Sequence, residues 1–284
     1  MWKKPWGYRE GATIAAGLLL TGILLQGSVG KIDWELLSWP VNIILLLVYI
    51  IVLAMVSGLS GRIYLFRWLG SYAAAVTSLA AVVVMTVIMG LIRQTGPQTV
   101  SGVAPWLGFS QMLSAWPFAL LFTWLITVLG LTAFRHLYPF RWRNIPFLLN
   151  HLGLWLALGG ALWGAPDRKS VKLIAYLRQP EYTAVDETGR LYPLPFTVTL
   201  EKFQVEYYDR MQRVPKKFRS ELILQNKECR LYTAIEVNEP VDFGGYSIYQ
   251  DNYDREKGLY SVLLLVRDPW LGIVYTGILM MIIG

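Results

Sequence analysis

Pro146-Phe-Leu-Leu-Asn-His-Leu-Gly-Leu-Trp-Leu-Ala-Leu-Gly-Gly-Ala-Leu-Trp-Gly164 contains no acid, lysine or arginine. A helix needs about 20 such residues to cross a hydrocarbon core of roughly 30 Å, so this run reads as a membrane span. The next hundred residues differ at once: residues 165–268 carry 16 Lys/Arg and 16 Asp/Glu. The junction decides the fold, because one side must be lipid-embedded helix and the other a water-facing domain.

Four more runs of the same kind precede it, at roughly 11–29, 41–60, 72–92 and 113–134. A sixth, 269–284, opens at Pro269-Trp270 and is still apolar at the last residue, as expected of a chain cut within a helix. The composition agrees: 55% hydrophobic and 16% charged residues, with a mean hydropathy of +0.42. Those values exclude an ordinary soluble domain, disorder, collagen-like repeats and coiled coil. Twelve Trp and 16 Tyr suit membrane–water interfaces, and Trp34, Trp39, Trp68, Trp106, Trp116, Trp142, Trp163 and Trp270 fall near span ends.

The net charge of +7 arises wholly before residue 165, where ten Lys/Arg face only Glu10, Asp33 and Glu35. It lies in short connections, so membrane topology explains it and no nucleic-acid partner is expected. Lys3, Lys4, Arg9, Arg62, Arg67, Arg135, Arg141 and Arg143 fall on one side of the alternating spans; Lys31 and Arg93 fall on the other. The positive-inside bias predicts a multi-pass protein of the inner (cytoplasmic) membrane with its N-terminus cytoplasmic. Residues 165–268 then lie on the outer, periplasmic face, and the sixth span returns. No small-residue cleavage site succeeds the first span, so it is expected to be retained.

Within 165–268, Phe196–Tyr208 approximates the alternation of a half-buried strand. Ser220–Leu224, Tyr232–Val237, Tyr246–Gln250 and Tyr260–Val266 are further strands, with Gly189, Asn226, Gly244-Gly245 and Gly258 as turns. The predicted fold class is a membrane α-helical bundle of about six transmembrane helices, with an extracytoplasmic all-β, sandwich-like domain inserted before the last. The predicted domains are 1–164, with five spans; 165–268, β-rich; and 269–284, the sixth helix.

Ionisable side chains inside spans are costly and are functional hypotheses by default. His151 is the one in this sequence, one to two turns into the fifth span and toward its cytoplasmic end. Neutral imidazole ligates haem iron well and is cheaper to bury than a full charge. Gly153, Ala157, Gly159, Gly160 and Ala161 would admit a flat macrocycle or another helix. The competing reading is a histidine hydrogen-bonded to a neighbouring helix. His136 reads as an interfacial residue of the basic loop. Along a helix the two histidines would be separated by about 22 Å, and Pro139 and Pro146 interrupt any such helix. A bis-histidine haem site is therefore expected to take its second ligand from another chain.

The single Cys229 excludes a disulfide framework, a CxxC pair and a cysteine metal cage; it reads as a free surface thiol in a turn. No GxSxG, Walker, GxGxxG or HExxH motif occurs. Glu236, Glu239, Asp251 and Asp254 read as solvated strand edges and turns.

Six stretches occur in order: His151-Leu-Gly-Leu154 with Gly159-Gly160; Phe203-Gln-Val-Glu-Tyr-Tyr208; Val214-Pro-Lys-Lys-Phe-Arg-Ser-Glu-Leu222; Ile235-Glu-Val-Asn-Glu-Pro240; Gly245-Tyr-Ser-Ile-Tyr-Gln250; and Val266-Arg-Asp-Pro-Trp270. Their order and spacing over roughly 146–284 resemble the ResB/CcsB family, the membrane subunit of the System II cytochrome c synthetase. The resemblance implies work with a CcsA-type partner that bears a tryptophan-rich outer loop. It implies movement of haem b to the outer face and its attachment to the CxxCH motif of apocytochrome c. It implies His151 as a cofactor-binding residue, an axial ligand of haem iron, and gives this chain an accessory, non-catalytic part in haem lyase chemistry. Two features depart from the family: five spans precede the outer domain where many members have three, and the tryptophan-rich loop is absent. The alternative is a membrane-anchored scaffold or sensor whose outer domain binds a protein partner without a cofactor.

Overall fold

The computed structural model describes residues 2–94, 106–138, 140–186, 188–209, 214–254 and 258–284, the side chains of 206–209 and 214–216 excepted. Five helices are long and apolar enough to cross a membrane. They are α1 (Tyr8–Val29), α2 (Val41–Leu59), α4 (Tyr72–Leu91), α5 (Trp116–Leu137) and α6 (Ile145–Gly164). The short α3 (Tyr64–Leu69) lies between α2 and α4, and α7 (Leu271–Ile283) ends the chain. The chain divides into two compact units, Met1–Asp167 with Trp270–Gly284, and Arg168–Pro269.

In the helical unit, α5 is central. It packs against α1, α2, α4 and α6, and half of its most apolar stretch is buried. Leu121, Trp124 and Val128 of α5 join Val82 and Met85 of α4 in one core cluster. The outer helices keep Leu20, Leu24, Ile44, Ile51 and Val84 exposed, which is the all-round apolarity of helices that face lipid.

The α6–α7 contact depends on absent side chains. A Cβ built on Gly153 would lie 2.6 Å from the Gly277 carbonyl oxygen, and one on Gly277 would lie closer still to that of Gly153. The backbones meet at that point, as small residues permit. At the far end of α6, Asp167 gathers three elements. Its carboxylate accepts from the Trp39 amide (2.8 Å), Asn42 Nδ2 (2.7 Å) and Trp270 Nε1 (2.8 Å). Asn42, 1% exposed, also donates to the Trp163 carbonyl. Trp270 therefore serves as a hydrogen-bonding partner more than as a belt residue, and Trp68 is buried too, whereas Trp39, Trp106 and Trp142 are exposed.

The second unit is one antiparallel sheet of eight strands in the order β5-β4-β3-β2-β1-β8-β7-β6. The strands are β1 (Lys169–Tyr176), β2 (Pro180–Asp186), β3 (Leu191–Asp209), β4 (Val214–Gln225), β5 (Arg230–Glu236), β6 (Val241–Phe243), β7 (Tyr246–Tyr253) and β8 (Tyr260–Arg267). Alternate residues, among them Val171, Leu173 and Ala175 of β1 and Leu263 and Leu265 of β8, enter a single core. Three strands separate β4 from β8 in the sheet order, yet Ser220 Oγ lies 3.0 Å from Ser261 Oγ. The sheet therefore curls until its halves face each other, and that gives the sandwich-like interior. Gln250 completes the contact: its Oε1 accepts from Ser220 (2.6 Å) and its Nε2 donates to Ser261 (2.7 Å) and the Asn252 carbonyl (2.9 Å). Each of these buried polar groups has a partner, as burial requires.

Candidate functional site

The α5–α6 hairpin brings its two histidines together. His136 lies in the last turn of α5. The chain returns through a single 3-10 turn, Trp142–Asn144, and enters α6 with Pro146 in its first turn. Proline suits that place, where no backbone N–H is needed. The Phe147 ring then contacts both imidazoles. Its centroid is 4.1 Å from that of His136 and 3.8 Å from that of His151, nearly parallel to the latter at 18°. The separation expected along a continuous helix is not what the chain adopts, because the hairpin folds His136 back beside α6. Pro139 itself lies outside the described residues.

Both imidazoles are set in the same way. His136 Nδ1 is 2.9 Å from the Thr132 carbonyl, and His151 Nδ1 is 3.0 Å from the Phe147 carbonyl. A carbonyl oxygen only accepts, so each Nδ1 carries a proton. In the neutral ring the lone pair then sits on Nε2, the arrangement that second-shell hydrogen bonds impose on ligating histidines. Among the described residues neither Nε2 has a hydrogen-bond partner. A donor set of neutral imidazole nitrogens fits haem iron. No cluster of three or more His, Cys, Asp or Glu suited to a metal ion occurs among the described residues.

The small face of α6 does different work. Gly153 and Gly160 pack against Gly277 and Val274 of α7, so helix packing, not a macrocycle, fills it. His151 projects from another face, toward Phe147 and α5. A cavity of about 180 Å³ between α2, α5 and α6 is walled by Ile50, Gly130, Ala133, Leu148, Leu152 and Trp155 among others, and His151 does not line it. The Trp155 Nε1 is buried without a partner.

In the β unit, Gln204, Val205, Lys217, Arg219 and Glu236 line a polar groove across β3, β4 and β5. Glu236, 9% exposed, pairs with Lys217 and, at 3.4 Å, with Arg219. It is thus no solvated edge, because β4 folds two cations over it. The hydrogen bond from Lys217, ahead of its charge and that of Arg219, holds the Glu236 carboxyl below the usual carboxylate range. Asp251 is paired with Lys172 at 2.8 Å, and Cys229 is a free, exposed thiol in a turn capped by Asn226 Oδ1.

Residues 140–266 match the ResB-like family. A 95-residue stretch is 32% identical to Protein NrfI of Wolinella succinogenes, covering 32% of this chain and 10% of that protein. A 107-residue stretch is 34% identical to the cytochrome c biogenesis protein CcsB of Synechococcus sp. (strain CC9605), covering 37% of this chain and 23% of that protein. The chain thus matches less than a quarter of the length of either relative. Among solved structures, Cytochrome c Heme Lyase CcmF aligns at a TM-score of 0.34 and 17% identity, over 71% of this chain and 33% of that one. That likeness is too low to carry an argument. The ResB-like resemblance read from the succession of motifs stands; it spans the segment from the start of α6 to β8 and includes Phe147 and His151.

Proposed function

We propose, from a chain whose residues 140–266 are ResB-like, that this protein is a haem-handling membrane subunit of cytochrome c biogenesis. The observation that carries the reading is His151. It is an imidazole within an apolar helix, its Nδ1 proton committed to the Phe147 carbonyl and its Nε2 lone pair free to ligate iron. Haem b is the cargo, and its chemistry here is to accept an axial nitrogen. The chain's own residues hold that nitrogen in one tautomer through the Phe147 carbonyl and stack the Phe147 ring on the imidazole.

Orientation rests on the basic connections. The N-terminus and the α5–α6 turn are cytoplasmic, so His151 stands near the cytoplasmic side, where haem is supplied. The β unit is extracytoplasmic. There the Lys217–Arg219–Glu236 groove and the open edge of β5 offer charged and backbone partners to an extended polypeptide such as apocytochrome c. The ResB-like resemblance supports a CcsA-type partner, fused or separate, that completes the chemistry.

The test is cytochrome maturation in cells producing this chain, a CcsA-type partner and a CxxCH-bearing reporter. His151→Ala is expected to abolish or strongly reduce covalent haem on the reporter, with imidazole in the medium restoring part of it. Unchanged maturation in His151→Ala would favour the scaffold reading, which gives this histidine no work.

A further inference from the structure

We propose that the segment before α1 and the short helix α3 together bind the headgroup of an anionic phospholipid. The inference goes beyond the haem-handling reading and is independent of it, since it uses neither histidine.

The N-terminal segment is built onto α3. The Trp6 amide donates to Tyr64 Oη at 2.7 Å, and the Trp6 ring meets Tyr64 at 5.2 Å and Trp68 at 5.7 Å, edge to face in both cases. Lys4 Nζ stands 4.5 Å from the centre of the Tyr64 ring, and Trp2 packs edge-on against Trp6. Chain termini stay loose unless they are tied down, and a tail that only sets topology by its charge needs no such fixing. The short helix is held from elsewhere as well. Arg135 of α5 donates to the carbonyls of Phe66 (2.9 Å), Arg67 (3.2 Å) and Gly70 (2.9 Å). Arg67 in turn donates to the carbonyls of Ser60 (3.4 Å) and Gly61 (2.7 Å).

Those two arginines are engaged by backbone. Lys3 and Arg62 are not: both are exposed, and neither side chain makes a hydrogen bond or ion pair among the described residues. No acid stands ready to neutralise them. Residues 60–72 contain none and residues 1–10 only Glu10, whose carboxylate already accepts from the Gly7 amide at 2.7 Å. The arrangement is therefore an ordered aromatic base with cations on it and beside it. Trp2 and Tyr8 are 46% and 53% exposed, as suits amphipathic rings at headgroup level. A lipid phosphate accepts charge-assisted hydrogen bonds from lysine and arginine, and basic clusters at the ends of spans attract anionic headgroups.

The experiment uses the full chain, purified in detergent and titrated with short-chain phosphatidylglycerol or with phosphatidylcholine of the same chains, bound lipid being counted by native mass spectrometry. Phosphatidylglycerol is expected to bind at least about tenfold more tightly, and excess inorganic phosphate is expected not to displace it. The double variant Lys3→Gln, Arg62→Gln breaks no contact within the chain, so its fold is retained. It is expected to bind phosphatidylglycerol about tenfold or more weakly, because each cation near an anionic surface is equivalent to about fivefold in affinity. Tyr64→Phe keeps every charge but removes the anchor of Trp6, and it is expected to weaken binding a few-fold. Lys227→Gln with Arg230→Gln, two exposed cations of the β unit, should leave the affinity unchanged. Equal affinity for the two lipids, or a Lys3→Gln, Arg62→Gln protein that binds phosphatidylglycerol as wild type does, would overturn the proposal. Displacement by inorganic phosphate would overturn the lipid assignment in favour of a site for the free ion.

Discussion

At the scale of single residues, the titrating groups of the β unit make the energetics testable. Glu236 has its carboxyl pK held down by Lys217 and then Arg219. Its folded value lies below its unfolded one, so its stabilisation is present above the ordinary carboxylate range and is lost as pH falls through the folded value. Glu236→Gln should therefore flatten the loss of β-unit stability on acidification, measured by intrinsic fluorescence during chemical unfolding at about pH 3 to 7. An unchanged acid limb would remove the ion pair from the account. Tyr246 runs the other way. Burial first, and then the hydrogen bond with the Tyr192 hydroxyl at 3.2 Å, pushes its phenol up to about 12. That stabilisation is complete below about pH 10 and drains away between about pH 10 and 12. Tyr246→Phe should lose less stability over that window than wild type. His151 was legible in the sequence as an ionisable side chain one to two turns inside an apolar span. The stacking of both His136 and His151 on Phe147 was not, because it depends on the α5–α6 hairpin, and residue spacing along the chain cannot express that reversal.

Helices and strands differ in how plainly they can be read. Twenty-residue apolar runs leave one physical solution, and all five long spans appear within a few residues of their expected bounds. Alternation announced Phe196–Tyr208, which lies within β3, and shorter runs marked Ser220–Leu224 in β4, Tyr232–Val237 over most of β5, Tyr246–Gln250 in β7 and Tyr260–Val266 in β8. β1, β2 and β6 were not. In β1, Ile174 and Tyr176 point outward, 44% and 43% exposed, so the polar face is itself apolar and the alternation blurs. β6 has only three residues, too few to show a period. The glycines of α6 left two occupants open, and α7 takes the place. Gly153→Leu should force α6 and α7 apart at a cost of about 1–3 kcal/mol or more. The thermal midpoint of the detergent-solubilised chain should fall, whereas Gly159→Ala, with nothing within 4 Å of the added carbon, should leave it almost unchanged. Equal midpoints for the two variants would show that the α6–α7 contact is looser than the backbone approach implies.

On the scale of the whole molecule, the charge distribution carries the orientation. Nearly all of the +7 resides in the helical unit, in its N-terminal tail and near the ends of its spans, while the β unit, Arg168–Pro269, carries only +1, so the positive-inside bias acts on the helical unit. The single cysteine makes this directly measurable, since Cys229 is exposed in the β unit. A membrane-impermeant maleimide should label it in intact spheroplasts as fully as after lysis. Labelling that requires lysis would place the β unit in the cytoplasm and reverse the proposed topology. The proposed arrangement has a clear division of labour: the helical unit presents prepared imidazoles in a dry setting, and the β unit presents a charged groove and an open strand edge to water.

The measurement that bears most directly on haem handling is the absorption spectrum of the full chain purified in detergent, wild type against His151→Ala, before and after imidazole. Wild type should carry a low-spin haem signal that the variant loses and imidazole restores. A wild-type protein that takes up no haem, or a variant whose spectrum equals that of wild type, would contradict it.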